Sequence, residues 1–185
     1  MIITISGNPG SGKTTIAKAV AKELNLKHFY MGGILRQLAA KRNMTLNEFL
    51  KLGETDPSVD KEVDDYLVEL GKTKDNFIAE GRTAWHFIPD SIKLFIDVDT
   101  KIGAERILKD MHEKGRAEQR NEQDGGTVEQ QADLIRKRVG SDKKRYEQYY
   151  NIDIFNKDNY DLWLDTTDLT EEQEIQKVLD FLKAR

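Results

Sequence analysis

The sequence predicts an α/β fold whose central sheet is mainly parallel. Short apolar, β-branched segments alternate along the chain with segments in which apolar residues recur at helical spacing. That alternation is typical of parallel strands joined by helices that pack on the sheet. The 185 residues, 38% of them hydrophobic, suffice for one domain with a sizeable core. We therefore expect a single domain over residues 1–185.

Five segments have the composition of buried strands. Each is short and apolar, and two of them stop at a glycine, Gly7 and Gly81. In chain order the predicted strands occupy residues 2–6, 28–30, 76–80, 92–98 and 160–165. The fourth has the clearest pattern.

Helical segments lie between these strands and after the last one. In each segment, apolar residues recur three or four positions apart, so they share one helix face. Thr45 and Glu48 also form a capping box at a helix start. The apolar stripes, in chain order, are Ile16, Val20, Ala21, Leu24; Ile34, Leu35, Leu38; Val59, Val63, Tyr66, Leu67, Leu70; Ala104, Ile107, Leu108, Met111; Val128, Ala132, Ile135, Val139; and Ile175, Val178, Leu179, Leu182.

One long segment, at about residues 115–127, breaks this periodicity. It is polar and contains the pair Gly125-Gly126. Polar, glycine-containing segments of this length between periodic elements are typical of functional loops. We expect a mobile insertion here.

The composition excludes several classes of protein. Lys and Arg total 29 against 33 Asp and Glu, a net charge of −4, which argues against a nucleic-acid arm or a polybasic membrane patch. The sequence has no cysteine, which excludes disulfide scaffolds, cysteine nucleophiles and cysteine metal sites. No apolar run is long enough to span a membrane, and the N-terminus lacks a basic leader. We expect a cytoplasmic protein.

A phosphate-binding loop lies between the first predicted strand and the first predicted helix. Its residues, Gly7, Asn8, Pro9, Gly10, Ser11, Gly12, Lys13 and Thr14, match G-x-x-x-x-G-K-[ST] in full and are followed by Thr15. Glycines let successive N–H groups face one anion, and the following helix adds its positive N-terminal end. We expect Lys13 to reach the β- and γ-phosphates of a nucleotide and the Thr14 hydroxyl to ligate Mg²⁺.

This loop predicts a bound nucleotide but leaves the reaction open. A dinucleotide-binding fingerprint fails, because Thr15 stands where its third glycine would be. A switch GTPase would carry a guanine-reading Asn-Lys-x-Asp motif, which the chain lacks, and 185 residues leave little room for the added domains of a motor ATPase. A small-molecule kinase is favoured. A nucleotide-binding regulator or ATPase without a small acceptor is the alternative.

Four further segments occur in a characteristic order after the loop. They are Gly32-Gly33-Ile34-Leu35-Arg36; Ala79-Glu80-Gly81-Arg82; Asp97-Val98-Asp99 with Arg106; and Arg138, Asp142 and Arg145, followed by Tyr146 and Tyr150-Asn151-Ile152-Asp153. Together with the loop, they resemble the nucleoside monophosphate kinases, most of all the short archaeal-type cytidylate kinases. The resemblance extends over nearly the whole chain.

The resemblance implies a P-loop kinase fold, with a central parallel five-stranded sheet flanked by helices. It also implies an acceptor-binding helical insert at about 31–74 and a mobile lid at about 109–145. The implied reaction is transfer of the γ-phosphoryl group of ATP, with Mg²⁺, to CMP or dCMP. An adenylate kinase or another small-molecule kinase is the alternative. The expected partners are these nucleotides, without nucleic acid or membrane, and the chain is expected to be a monomer.

Single residues receive roles from the same resemblance. Arg36 and Arg82 would hold the acceptor phosphate, together with Arg138. Arg106 would lie over the adenine of ATP. The catalytic cations at the transferring phosphoryl group would be Lys13, Arg138 and Arg145. Arginine suits these tasks because its planar guanidinium grips phosphate oxygens bidentately.

Two carboxylates are expected near these cations. Asp142 would share a helix face with Arg138 and Arg145, at i, i+4 and i+7, and would orient an arginine or accept from the substrate's ribose hydroxyls. A surface helix of ion pairs is the alternative for this face. Glu80, at a strand end, would hold Mg²⁺ through water or would cap Arg82. The acceptor phosphate is already ionised at neutral pH, so the reaction needs no general base.

Overall fold

The computed structural model describes residues 1–113 and 124–185. The five strands of the described residues form one sheet in the order β2-β3-β1-β4-β5, and every pairing is parallel. The strands are β1 (Ile2–Gly7), β2 (Lys27–Tyr30), β3 (Phe77–Glu80), β4 (Ile92–Asp97) and β5 (Leu162–Asp165). All five predicted strands are present, which confirms the α/β fold with a central parallel sheet.

Helices connect the strands and cover the sheet. Each predicted apolar stripe lies in one helix, with Leu24 at the C-terminal cap of the first. The helices are α1 (Lys13–Glu23), α2 (Met31–Lys41), α3 (Leu46–Leu52), α4 (Ser58–Thr73), α5 (Ala84–Phe87), α6 (Thr100–His112), α7 (Val128–Tyr150) and α8 (Glu171–Lys183). The predicted capping box of Thr45 and Glu48 starts α3. No helix within 1–113 and 124–185 is both long and apolar enough to cross a membrane.

Two apolar layers hold these helices to the sheet. On one face, α1 and α8 pack on the strands through buried side chains that include Val20, Leu94 and Val178. On the other face, α4 packs on β3 through Leu67 and Phe77. The central strand β1 is therefore covered on both sides, as a parallel sheet requires.

The carboxyl ends of three neighbouring strands meet at one edge of the sheet. β1 ends at Gly7, β3 at Glu80 and β4 at Asp97, and the register pairs Ile5 with Glu80 and Gly7 with Ile96. Open parallel sheets bind ligands at this edge, where neighbouring connections leave in opposite directions. The phosphate loop follows β1, so it lies between the ends of β3 and β4.

The region of the predicted lid is described in part. α7 is one continuous helix that runs through Gly140. It packs against α6 through a cluster that includes Ile107, Ala132 and Ile135. Residues 114–123, which include most of the predicted mobile insertion at 115–127, lie outside the described residues.

Candidate active site

The phosphate loop depends on glycines at positions where a side chain would not fit. Gly10 has a φ of +78° and Gly12 a φ of +82°, in the left-handed region that glycine favours. A Cβ at Gly10 would lie 2.3 Å from the carbonyl oxygen of Gly103, so the loop meets α6 backbone to backbone. Gly12 immediately precedes α1 and has no side chain that could accept hydrogen bonds from the first turn of the helix. The N–H groups of that turn are left for an anion, which the helix dipole favours.

Polar contacts behind the loop hold it in place. The Asn8 side-chain amide donates to Asp97 Oδ1 at 2.6 Å, which ties the loop to the end of β4. The Thr166 hydroxyl donates to the carbonyl oxygen of Ser11 at 3.1 Å, which ties it to the segment after β5. Gly7, Asn8 and Ser11 thus support the loop from behind, and its other residues line the cleft in front.

The cleft in front of the loop has a volume of about 1210 Å³. Ligand sites for one small molecule are typically about 300–1,000 Å³, so this cleft is large enough for two nucleotides. The predicted site residues that line it are Pro9, Gly10, Gly12, Lys13, Thr14, Thr15, Arg36, Glu80, Arg82, Arg106, Arg138 and Asp142. One cleft therefore brings together the phosphate loop, Arg36 and Arg82, and two residues of α7, Arg138 and Asp142.

Lys13 lies among several other cations. Burial lowers the pKa of the Lys13 ammonium to about 7, and Glu80 opposes that effect. Arg82, then Arg138 and Arg36, lower this pKa further through charge repulsion. A polyphosphate would relieve the repulsion and would raise the pKa of Lys13 again. The electrostatics of the ligand-free cleft thus match a polyanionic ligand.

Glu80, which is 1% exposed, joins β3 to the phosphate loop. The Thr14 hydroxyl donates to Glu80 Oε1 at 2.6 Å, and His28 Nε2 lies 3.1 Å from Oε2. Because the Thr14 O–H points at the carboxylate, the lone pairs of its oxygen stay available to a cation. A hydroxyl beside a carboxylate is a donor set that Mg²⁺ prefers, so these residues fit the predicted metal site.

Asp142 lies between two arginines. Its Oδ2 is 2.7 Å from Arg82 Nε and its Oδ1 is 2.8 Å from the Arg145 guanidinium. Arg82 is buried, which lowers its pKa, and the charge of Asp142 opposes that shift. These contacts fit the predicted role in which Asp142 orients an arginine, and its contact with ribose hydroxyls stays a prediction. Arg82 pairs with this carboxylate rather than with Glu80, its predicted alternative partner.

The structure does not bring Arg145 to the cleft, which differs from the expected position. Arg145 is fully buried beneath it, and its guanidinium donates to the carbonyl oxygen of Leu50 at 2.9 Å and to the Tyr146 hydroxyl at 3.2 Å. Arg138 lines the cleft but Arg145 points towards α3, because carboxylates on α4 and α7 surround its charge there. Its contact with a transferring phosphoryl group stays a prediction.

Arg106 lines the cleft near the phosphate loop, because its partner Glu174 also borders Gly12. It donates to the carbonyl oxygen of Thr166 at 2.8 Å and to the Thr166 hydroxyl at 3.2 Å. It also pairs with Glu174 of α8 at 3.2 Å. These contacts hold the guanidinium between α6 and the segment after β5, at the rim where Leu169 and Glu171 also line the cleft.

Two buried, cleft-lining carboxylates of α4 were missed in the sequence. Asp60 and Asp64 of α4 are 3% and 6% exposed, and both line the cleft. The sequence predicts only an apolar stripe for this helix, which includes Val63 and Leu67, and its acids receive no role there. A signal was present, because Asp60, Val63, Asp64 and Leu67 fall at i, i+3, i+4 and i+7. Acids that share the buried face of a helix indicate a functional or paired site.

A comparison with protein families agrees with the geometry of the cleft. The model of the family described as cytidylate kinase-like matches residues 2–168, most of the chain. The chain belongs to the cytidylate kinase-like family. This membership confirms the resemblance indicated by the phosphate loop and the four segments that follow it.

Curated cytidylate kinases are similar to this family member over most of its length. The enzyme of Archaeoglobus fulgidus is 35% identical over 186 residues, which cover 100% of this chain and 96% of that protein. The enzyme of Pyrococcus abyssi is 37% identical over 173 residues, which cover 93% of this chain and 88% of that protein.

Solved structures share the fold at lower identity. Shikimate kinase from Bacteroides thetaiotaomicron superposes with a TM-score of 0.65 and 17% identity, and the match covers 99% of this chain and 98% of that one. An uncharacterized protein from Eubacterium ventriosum gives a TM-score of 0.70, also at 17% identity, with 100% and 99% covered. These likenesses support the kinase fold of this cytidylate kinase-like protein.

Proposed function

We propose that the protein transfers the γ-phosphoryl group of ATP to CMP or dCMP and releases ADP with CDP or dCDP. One observation carries the proposal: the phosphate loop and a second set of cations, Arg36, Arg82 and Arg138, line the same cleft. Lys13 and the loop suit the triphosphate, and Arg36 and Arg82 suit the phosphate of an acceptor. The relatives named cytidylate kinases indicate cytosine as the acceptor base.

The two predicted regions on either side of the cleft are part of this proposal. The insert at 31–74 comprises α2, α3 and α4, which contribute Leu35, Leu50 and Val63 to the cleft wall. We assign the acceptor nucleoside to this wall. The region 109–145 would close over the phosphates and exclude water, which otherwise competes with the acceptor.

Phosphoryl transfer between two anions requires positioning and positive charge more than proton transfer. Lys13 and Arg138 would neutralise the transferring group, and Arg82 would fix the acceptor oxygen. Arg145 keeps its proposed catalytic role only if its contacts beneath the cleft open when the nucleotides bind. Its contacts with Asp60 and Asp142 make it a positioning residue in the ligand-free protein.

The proposed metal site lies at the floor of the cleft. Mg²⁺, when bound, would neutralise charge on the phosphates of ATP. The Thr14 oxygen would ligate the ion while its O–H continues to donate a hydrogen bond to Glu80. Glu80 would also accept a hydrogen bond from a metal-bound water.

The proposed ATP orientation follows from the phosphate loop and from the role that the resemblance gives Arg106. The phosphates would lie at the loop and the adenine at Arg106. Thr166 and Glu174 hold that guanidinium in place, and its planar face would cover the purine.

An acceptor-dependent assay of ADP release tests the proposal. We would compare CMP, dCMP, UMP, AMP, GMP and dTMP, each with ATP and Mg²⁺. We expect CMP and dCMP to accelerate ADP release many-fold over ATP alone. Lys13→Ala should lower turnover by more than tenfold while the protein stays folded, because each 1.36 kcal/mol of lost transition-state stabilisation is about tenfold in rate. Lys22→Ala, on the exposed face of the same helix, is the matched control and should keep wild-type turnover.

The other outcomes point to the alternatives. Preference for AMP would favour an adenylate kinase. Equal ADP release with and without every monophosphate would favour an ATPase without a small acceptor. If Lys13→Ala keeps more than about a tenth of wild-type turnover, Lys13 is not the phosphate-binding lysine.

A further inference from the structure

A chain of buried charges runs from the acceptor-phosphate arginine to helix α4. Arg82 contacts Asp142 at 2.7 Å, Asp142 contacts Arg145 at 2.8 Å, and Arg145 Nε lies 3.1 Å from Asp60 Oδ2. The cleft is lined by Arg82, Asp142 and Asp60, and Arg145 lies beneath them. An acceptor nucleotide whose phosphate binds Arg82 and whose ribose reaches Asp142, the other role predicted for that residue, would place its base at Asp60.

The two carboxylates of α4 differ in how their oxygens are used. Asp64 accepts from the Thr83 hydroxyl at 3.1 Å and from the Tyr150 hydroxyl, one on each oxygen. Asp60 has only the ion-pair contact with Arg145, whose Nε is not aligned to donate a hydrogen bond. Among the described residues, no hydrogen bond reaches either oxygen of Asp60. A carboxylate that is 97% buried and lines a cleft is therefore left with its full capacity to accept.

The surroundings of Asp60 suit a flat heterocycle. Two apolar residues near Asp60 also line the cleft: Leu50, whose carbonyl oxygen accepts from Arg145, and Val63, one helical turn further along α4. A base held by apolar walls takes its specificity from the few polar groups at its edge. Cytosine presents a 4-amino donor there, whereas uracil presents a carbonyl acceptor at the same position. A carboxylate attracts the amino group of cytosine and repels the carbonyl oxygen of uracil.

We propose that Asp60 is the specificity-determining residue of the acceptor site, accepting a hydrogen bond from the 4-amino group of cytosine and thereby rejecting uracil. This inference rests on the proposed function, because it presumes that a pyrimidine monophosphate occupies the wall formed by α3 and α4.

The charges around Asp60 agree with this role. Burial raises its pKa to about 6; Arg145 opposes the shift, and Asp64 and Asp142 add to it. The free protein thus keeps an anion in an unfavourable place. The 4-amino group of cytosine would donate to Asp60 and stabilise its anionic form, whereas the carbonyl oxygen of uracil at the same position would repel it.

Asp60→Asn tests the proposal through substrate choice. An amide can accept from cytosine or donate to uracil, so the variant should lose discrimination. We expect the ratio of kcat/KM for CMP to that for UMP to fall about 10- to 100-fold, mainly through KM. Asp65→Asn, an exposed position on the same helix that pairs with Lys61, is the matched control and should keep the wild-type ratio.

A purely structural role for Asp60 predicts a different result. If it served only as a counter-ion for Arg145, Asp60→Asn would lower activity with CMP and UMP equally. An unchanged CMP-to-UMP ratio in a folded variant therefore overturns the proposal.

A second measurement needs no variant. The wild-type protein is assayed with a CMP analogue that carries hydrogen in place of the 4-amino group. We expect kcat/KM to fall about 10- to 100-fold relative to CMP, because Asp60 would be left buried without a partner. A loss smaller than about threefold overturns the inference even if Asp60→Asn fails to fold.

The same data separate this inference from the proposed function. If the wild-type protein does not use CMP, the proposed function fails, and the inference fails with it. If the wild type prefers CMP over UMP but neither the variant nor the analogue changes that preference as expected, only the assignment to Asp60 fails.

Discussion

Replacing Asp60 by asparagine is expected to change how the stability of the ligand-free protein depends on pH. Asp60 is buried against Arg145, with Asp64 and Asp142 nearby, and burial together with these two carboxylates raises its pKa to about 6. An aspartate in the unfolded chain has a pKa of about 3.9. The folded protein therefore binds more protons at this site than the unfolded chain between these two values.

The sign of the effect follows from proton linkage. A group whose pKa is raised on folding adds stability below its unfolded pKa, and that stability is lost as the pH rises through the folded pKa. A difference of about two pKa units corresponds to about 3 kcal/mol over the whole window. About 1 kcal/mol of this falls between pH 5 and pH 7. Asparagine does not titrate, so the wild type should lose this stability relative to Asp60→Asn as the pH rises.

Urea unfolding of both proteins at pH 5, 6 and 7, without nucleotide, measures the effect. Other titrating groups are common to the two proteins, so most of their contribution cancels in the difference between the free energies of unfolding. The reasoning is refuted if the two stability curves stay parallel, within about 0.5 kcal/mol, over this range. A wild type that gains relative stability as the pH rises would mean that Arg145 stabilises Asp60 as an anion and lowers its pKa.

Three further substitutions test other parts of the structure. Gly10→Ala should destabilise the protein and abolish ATP binding, because the added Cβ would meet the backbone of α6. A fluorescence titration with ATP measures this binding, and a normal affinity would contradict the prediction. Glu80→Gln should raise the Mg²⁺ concentration needed for half-maximal activity by about tenfold or more. A metal titration measures this concentration, and an unchanged value would mean that Glu80 is not part of the metal site. Thr45→Ala should lower the free energy of unfolding by about 1 kcal/mol, measured in urea, without altering turnover, because the α3 capping box lies away from the cleft. A cost near zero would mean that this cap contributes nothing to stability.

The elements of the fold were predictable because their signals are local. β1 is an apolar run that stops at Gly7, and the loop after it requires glycines at positions set by backbone geometry alone. The stripes of α1 and α8 lie in the chain at helical spacing. The short helix α5 gave no such signal, because four residues span barely one turn.

The parts of the candidate site that consist of contiguous motifs were predictable. The contacts between charged residues that are distant in the sequence were not. The resemblance placed Arg36 and Arg82, and the structure brings both to the cleft. The position of Arg145 depends on a carbonyl oxygen of α3 and on Asp60 of α4, about 95 and 85 residues earlier in the chain, and no helical periodicity shows them. Asp60 itself was hidden in an acidic segment because spacing alone does not reveal which acid lacks a partner.

The contacts of Arg106 have a consequence for the order in which the protein can mature during synthesis. Arg106 leaves the ribosome with α6, but Thr166 and Glu174, which hold its guanidinium, are made some sixty residues later. Domains fold as units while synthesis proceeds from the N-terminus. A nascent chain that already carries the phosphate loop therefore lacks the residues that hold Arg106 at the cleft. Full nucleotide affinity on the ribosome should arise late and in one step, when α8 emerges and docks.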